Sequence, residues 1–141
     1  MVVVNCFLSS FCQSFVLKLI RDTFETTYRA WMITCFQEMH RISRHFEADF
    51  NNVVDFLEDT HRVRLDRPVM FPGVIGGHCL VPNIERLLES YDSEFLRLIL
   101  KSNEKRKTET QDKQVSEEIE KIRKRAEVLQ EELMKKLENQ W

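Results

Sequence analysis

The first third of the chain carries a hydrophobic pattern that predicts one long helix. From about Ser14 to Phe46, apolar residues recur every three or four positions and therefore fall on one helical face. This stripe consists of Val16, Ile20, Phe24, Tyr28, Trp31, Cys35, Met39, Ile42 and Phe46, and a second row of Phe15, Leu19, Met32 and Phe36 widens it. A helix of about 33 residues would be about 50 Å long. Since that exceeds one small core, we expect a second copy of the chain to cover part of the stripe. The alternative is a break into two helices near Thr26 and Thr27.

Shorter helices are predicted in the middle of the chain. Asp49 is a suitable N-cap for a helix from Phe50 to about Thr60. Another helix is expected to begin just after Pro82, and Asp92 or Ser93 can cap the next one. The apolar positions expected to point inward are Val53, Val54, Phe56, Leu57, Ile84, Leu87, Leu88, Phe95, Leu96, Ile99 and Leu100.

The composition changes abruptly near Lys101. From there to Trp141 the chain has 11 Lys/Arg and 10 Asp/Glu residues and no Gly or Pro. Alternating steps of four and three residues give a heptad seam of Val115, Ile119, Ile122, Ala126, Leu129 and Leu133. Three heptads are close to the minimum for a coiled coil, so we expect this helix to form only when it is paired.

The pattern as a whole predicts an all-α protein with three parts. Residues 1–14 form an uncharged lead-in, residues 15–107 a helical domain, and residues 108–141 a charged, coiled-coil-like helix. No charged side chain occurs in residues 1–17, but this stretch is short for a bilayer span, contains polar residues and lacks a basic start. Membrane association is therefore not expected.

Composition agrees with this fold class. Three glycines and three prolines in 141 residues are far too few for a turn-rich β protein. A formal net charge of −2 gives no indication of a nucleic-acid partner. The four cysteines lack CxxC spacing, which favours reduced thiols and a cytoplasmic protein. His40 and His45 do not share a helix face, and no spacing of ligand residues predicts a metal site.

The candidate chemistry is concentrated in the stretch from Met70 to Asn83. It contains all three glycines, Gly73, Gly76 and Gly77, so a tight loop is expected. Cys79 follows this loop and precedes the expected helix, whose positive N-terminal dipole favours a thiolate. Cys79 is thus the best nucleophile candidate, and a buried structural cysteine is the alternative. Three arginines between His61 and Arg67 either bind phosphate or carboxylate, or are simply solvated.

The sequence Gly76-Gly77-His78-Cys79 resembles the cysteine loop of the UDP-glucose/GDP-mannose dehydrogenase family, in the variant of its acetamido-sugar branch. The run TTYRAWMITCFQEM, residues 26–39, is similar to that family's central helix, and DFNNVV, residues 49–54, to the short helix that follows. The resemblance covers roughly residues 15–107, in the family's order. It concerns only the central, dimer-forming domain.

The resemblance implies that Cys79 attacks a sugar aldehyde formed by hydride transfer to NAD, and that the resulting thioester is hydrolysed to a uronic acid. It also implies polar contacts from Thr26 and Asn83 and a substrate loop of Gly76, Gly77 and His78. The sequence departs from the family at two site positions: the family's lysine aligns with Asp22, and its aspartate after the cysteine aligns with Asn83. An acid repels a developing oxyanion, and an amide cannot act as a base.

A glycine-rich dinucleotide fingerprint is missing from the sequence, so we expect that the chain binds no NAD alone. The leading hypothesis is a truncated or split relative of these dehydrogenases, which we do not expect to be active alone. It would form a homodimer, and a separate NAD-binding subunit would complete the site. The alternative is a non-catalytic homo-oligomeric scaffold or a coiled-coil interaction protein.

Overall fold

The part of the chain that the structure describes folds into five helices. The computed structural model describes the backbone of residues 10–138, and within this range it contains no β-strand. The helices are α1 (Ser10–His45), α2 (Phe50–Arg64), α3 (Leu80–Ser90), α4 (Glu94–Glu109) and α5 (Lys113–Glu138). The predicted all-α class is confirmed. Residues 1–9 of the predicted lead-in lie outside the described residues, and no helix within the described range is long and apolar enough to cross a membrane.

The long helix is continuous. α1 has 36 residues, which corresponds to about 54 Å. No break occurs near Thr26 and Thr27, whose hydroxyls donate to the Thr23 carbonyl one turn earlier at 2.9 and 2.8 Å. Such bonds keep a threonine hydroxyl satisfied without interrupting the helix.

The face of α1 that enters the core lies beside the predicted stripe. Ala30, Ile33 and Phe36 are buried, whereas several stripe residues are 41–73% exposed: Ile20, Phe24, Tyr28, Ile42 and Phe46. These exposed residues form an apolar surface, whereas Trp31 and Met39 of the same stripe pack against the core clusters.

Two hydrophobic clusters hold the helices together. The first joins α1, the loop before α3, and helices α3 and α4, through Ala30, Ile33, Ile75, Ile84, Leu96 and Ile99. The second joins the later part of α1 to α2, to the start of the loop and to α5, through Phe36, Phe50, Val54, Val69, Ile122 and Leu129. The loop between α2 and α3 takes part in both clusters, so both position it.

Two of the predicted helix starts are confirmed and one is wrong. Asp49 accepts the Asn51 backbone N–H at 2.9 Å, a hydrogen bond that lowers the pKa of Asp49, and Ser93 accepts the Leu96 N–H at 3.3 Å. Helix α3, however, begins at Leu80, before Pro82. The proline is tolerated there because the first-turn N–H groups of a helix have no intrahelical partner.

The heptad seam of α5 is buried within the same chain. Val115, Ile119, Ile122 and Leu129 are at most 8% exposed, and the last two belong to the second cluster. Arg125 adds polar contacts from α5 to α2, where its Nε lies 3.1 Å from Glu58 Oε1. The prediction that this helix needs a partner chain to cover its seam is therefore wrong, because α1, α2 and the loop cover it.

Candidate functional site

The glycine–cysteine loop, residues 65–79, joins α2 to α3 and emerges at the protein surface. Gly73 and Ile75 are buried, whereas Gly76, Gly77, His78 and Cys79 are exposed. The loop thus has an anchored first part and a solvent-facing second part. The second part contains the predicted substrate-loop residues and the candidate nucleophile.

Two buried amides hold the first part. Gln37 Nε2 of α1 donates to the Gly73 carbonyl at 2.7 Å. Asn103 of α4 bonds both main-chain groups of Ile75: its Oδ1 accepts the N–H at 2.7 Å and its Nδ2 donates to the carbonyl at 3.1 Å. These bonds satisfy backbone groups that no secondary structure pairs.

Glycine is favoured at positions 73 and 77 of the loop for different physical reasons. Gly77 has φ of 90°, a conformation that other residues adopt at a cost. A Cβ on Gly73 would approach the Phe71 ring to 2.5 Å, whereas Cβ atoms on Gly76 and Gly77 would meet nothing within 4 Å. Backbone conformation therefore calls for glycine at 77, and packing calls for it at 73. The open space beside Gly76 and Gly77 leaves room for a ligand next to the main chain.

Cys79 is exposed at the N-terminal boundary of α3. Its side chain makes no capping hydrogen bond, while its carbonyl accepts the Asn83 N–H at 3.0 Å. The alternative of a buried structural cysteine is therefore wrong. Cys35 differs: it is partly buried on α1, and burial raises the pKa of its thiol. The side chains of Cys6 and Cys12 lie outside the described residues.

The structure brings together two of the predicted site residues. Asn83 Nδ2 donates to Thr26 Oγ1 at 3.0 Å, one turn along α3 from Cys79. The Thr26 hydroxyl proton is directed at helix carbonyls, chiefly that of Thr23 at 2.9 Å. Since an amide nitrogen carries two N–H groups, Asn83 keeps a second one for a ligand. Of Asn83 and Thr26, Asn83 is therefore the better hydrogen-bond donor for a ligand.

Several other predicted residues place their side chains in ion pairs or in solvent, although the Asp22 carbonyl lies 3.2 Å from Thr26 Oγ1. Asp22, which the resemblance aligns with the family's lysine, is exposed, and its Oδ1 is 3.7 Å from Arg21 Nε. In the arginine run, Arg62 Nη2 lies 3.9 Å from Glu58 Oε2, and Arg64 is exposed. The interpretation of the arginines as solvated therefore fits Arg64, whereas Arg62 is ion-paired within the chain.

A buried polar cluster lies behind the loop and was not predicted. His40 is fully buried, and its Nδ1 accepts from Arg106 Nη1 at 3.2 Å. Because arginine can only donate, the imidazole proton is on Nε2, which donates to Glu118 Oε2 of α5 at 2.9 Å. Burial and the Arg106 charge lower the pKa of His40. Arg106 also donates to the Gln37 carbonyl at 2.8 Å, and burial lowers its own pKa to about 10.

One sequence signal could have revealed this cluster. On α1 the buried positions Ala30 and Ile33 continue in helical steps to Gln37 and His40, and on α4 the buried Leu96 and Ile99 continue to Asn103 and Arg106. Polar side chains that continue an inward-facing row are candidates for buried hydrogen-bonding residues. Each such row can be recognised in the sequence only after the core-facing side of its helix is known.

The described residues do not fit an NAD site. Dinucleotide folds bind the pyrophosphate between a strand and a glycine-rich helix start, and residues 10–138 contain no strand. Within the part of the chain that the structure describes, no three His, Cys, Asp or Glu residues are grouped so that they could hold a metal ion.

Comparison with known proteins agrees with the resemblance in the sequence. The model of the UDP-glucose/GDP-mannose dehydrogenase family, central domain, matches residues 20–105, which is more than half of the chain. Searches of curated proteins and of solved structures found no significant match. The matched range includes α2, α3 and the whole glycine–cysteine loop. The chain therefore belongs to the UDP-glucose/GDP-mannose dehydrogenase family and contains its central domain.

Proposed function

We propose that this domain supplies the cysteine loop and the dimer contact for NAD-dependent oxidation of a nucleotide sugar, with NAD held by a separate chain. The observation that carries this proposal is the exposure of Cys79 one helical turn from the hydrogen-bonded pair of Asn83 and Thr26. Family membership supports the substrate class.

The part of the reaction assigned to this chain is nucleophilic addition. After the thiol proton of Cys79 has passed to water, the sulfur forms a bond to the carbonyl carbon of a sugar aldehyde, and the carbonyl π electrons move to the oxygen, which becomes an oxyanion. The second N–H of Asn83 and the open main chain at Gly76 and Gly77 are the available hydrogen-bond donors for that oxygen. We assign no hydride step and no general base to these residues.

Competition between the thiols provides the first test. Iodoacetamide should label Cys79 faster than Cys35, because Cys79 is exposed and Cys35 is partly buried with a raised pKa. Peptide mapping at several pH values measures both rates. Faster labelling of Cys35, or a protected Cys79, would contradict the proposed role.

Reconstitution provides the second test. The purified chain with NAD and a UDP-sugar should not reduce NAD. Addition of an NAD-binding chain encoded beside it should produce turnover that the Cys79→Ser variant lacks. NAD reduction by this chain alone would contradict the assignment of the cofactor to another chain, and full turnover by the Cys79→Ser variant would remove Cys79 as nucleophile.

We also propose that the domain forms a homodimer through α1. Leu17, Ile20, Phe24 and Tyr28 form one apolar row on this helix and are 41–67% exposed. A charge in a desolvated contact is costly, so Phe24→Asp should shift sedimentation from dimer to monomer while Lys18→Asp should not. Phe24 is preferable to Trp31, whose ring centroid lies 4.1 Å from that of Phe95 within the same chain. A wild-type monomer at micromolar concentration would refute the dimer.

A non-catalytic oligomeric scaffold is the second candidate. It is favoured by the exposed acid Asp22 at the position of the family's lysine and by the amide of Asn83 at the position of its aspartate. A scaffold predicts that Cys79→Ser leaves both assembly and every reconstituted activity unchanged.

A further inference from the structure

We infer that Asn103 and Gln37 are positioning residues for Cys79, acting through the main chain of the glycine–cysteine loop. Neither residue touches the cysteine. Both are buried, with Asn103 2% and Gln37 0% exposed. They contact the loop at Ile75 and Gly73, just before its exposed part begins.

The two hydrogen bonds of Asn103 fix one peptide position in two directions. The same carboxamide accepts the N–H of Ile75 and donates to its carbonyl, as a neighbouring β-strand would. The residue is thereby prevented from rotating about its backbone or moving away from α4. This control matters because the next two residues, Gly76 and Gly77, have no side chains that could define the path of the chain.

The Gln37 amide is itself oriented by neighbours. Ser102 Oγ donates to Gln37 Oε1 at 2.7 Å, and Arg41 Nη1 donates to Ser102 Oγ at 2.9 Å. With its oxygen occupied in this way, the Gln37 amide directs its nitrogen to the Gly73 carbonyl. The anchor is therefore specific in direction as well as in position.

The other end of the exposed part is fixed by α3. The Cys79 carbonyl accepts the first-turn N–H of Asn83, and the Asn83 side chain bonds Thr26 on α1. Between Ile75 and Cys79 only Gly76, Gly77 and His78 remain. The position of Cys79 relative to the Asn83–Thr26 pair is thus set from one side by α3 and from the other by Asn103 and Gln37.

That the positioning of Cys79 serves catalysis rests on the proposed function, but the test of the positioning itself needs neither NAD nor a sugar. A trifluoromethyl label is attached to Cys79 in a background where the other three cysteines are serine, and its ¹⁹F resonance is recorded from pH 5 to pH 8. The thioether does not titrate, so the resonance reports the surroundings of the loop. Unfolded protein gives the reference position.

Asn103→Asp is the informative variant because its protonated carboxyl group can accept from and donate to Ile75 as the amide does. Burial raises the pKa of a carboxyl group, so the label should occupy the wild-type position at low pH and move towards the unfolded position as the acid ionises. Asn103→Ala should stay near the unfolded position at every pH. Val115→Ala, at a buried position of α5 outside both hydrophobic clusters, should keep the wild-type position although it also lowers stability.

Two results would overturn the inference: a wild-type label position in folded Asn103→Ala, or the same displacement in Val115→Ala. If Asn103→Ala does not fold, Gln37→Met removes the bond to Gly73 and the bond from Ser102 Oγ but leaves both Asn103 bonds to Ile75 in place. It should still displace the resonance, and an unmoved label would then refute the inference. Failure of reconstituted sugar oxidation with a displaced label would count against the proposed function and leave the positioning role in place.

Discussion

Substitution of Ile122 by alanine measures how much the packing of α5 against the rest of the chain contributes to the free energy of unfolding. Ile122 is 1% exposed and packs in the second cluster with residues of α1, α2 and the loop. The substitution removes three carbon atoms at about 0.8 kcal/mol each, a total of about 2.4 kcal/mol. The cavity left behind raises the expected loss in the free energy of unfolding to about 2–5 kcal/mol.

Urea denaturation followed by circular dichroism provides the assay. With a central slope of about 2 kcal/mol/M, the Ile122→Ala midpoint should fall by about 1–2.5 M. Val128→Ala is the matched control on the same helix, since Val128 is 54% exposed, and its cost should be about 0.5 kcal/mol or less. Equal midpoints for the two variants would refute the packing of α5 onto its own chain, as would rapid amide exchange along residues 113–138 in the wild-type protein.

Three further predictions concern pH, the loop and a helix cap. The pKa of His40 is lower in the folded than in the unfolded chain. The stabilisation by neutral His40 is therefore present above about pH 6.5 and is lost as the pH falls from there towards the folded-state pKa. In a plot of urea midpoint against pH, His40→Gln should remove the decrease over this pH range. Gly77→Ala should cost about 1–3 kcal/mol because φ is positive there, whereas Gly76→Ala should cost about 0.5 kcal/mol or less, as comparison of their thermal midpoints will show. Ser93→Ala removes the cap of α4 and should cost about 1 kcal/mol in urea denaturation.

The sequence was sufficient to predict the helices but not to predict which of their faces contact one another. Periodicity and capping residues predicted α1, α2 and α4 closely, because these signals are local. The start of α3 was missed because Pro82 was interpreted as a residue before the helix, although proline also fits the first turn. The seam of α5 was assigned to another chain because a heptad pattern identifies an apolar face and does not specify what covers it.

The candidate site was partly predictable for a similar reason. Glycine spacing located the loop and the exposed cysteine, and the resemblance placed Thr26 near Asn83. The anchoring residues could not be located, because Gln37 and Asn103 are 66 positions apart and become neighbours of the loop only when α1 and α4 pack together. Buried polar residues of this kind depend on tertiary geometry.

The anchoring of the loop also has a consequence for the order of folding. The bonds from Gln37 to Gly73 and from Asn103 to Ile75 connect residues 36 and 28 positions apart, and the bond from His40 to Glu118 spans 78. Local helices form in about a microsecond. Such distant contacts form later, because the entropy of loop closure must be lost before the contacts can stabilise the chain. The loop should therefore acquire its final shape after the helices exist, and a refolding experiment should show Ile75 protected from exchange later than the amides within α1.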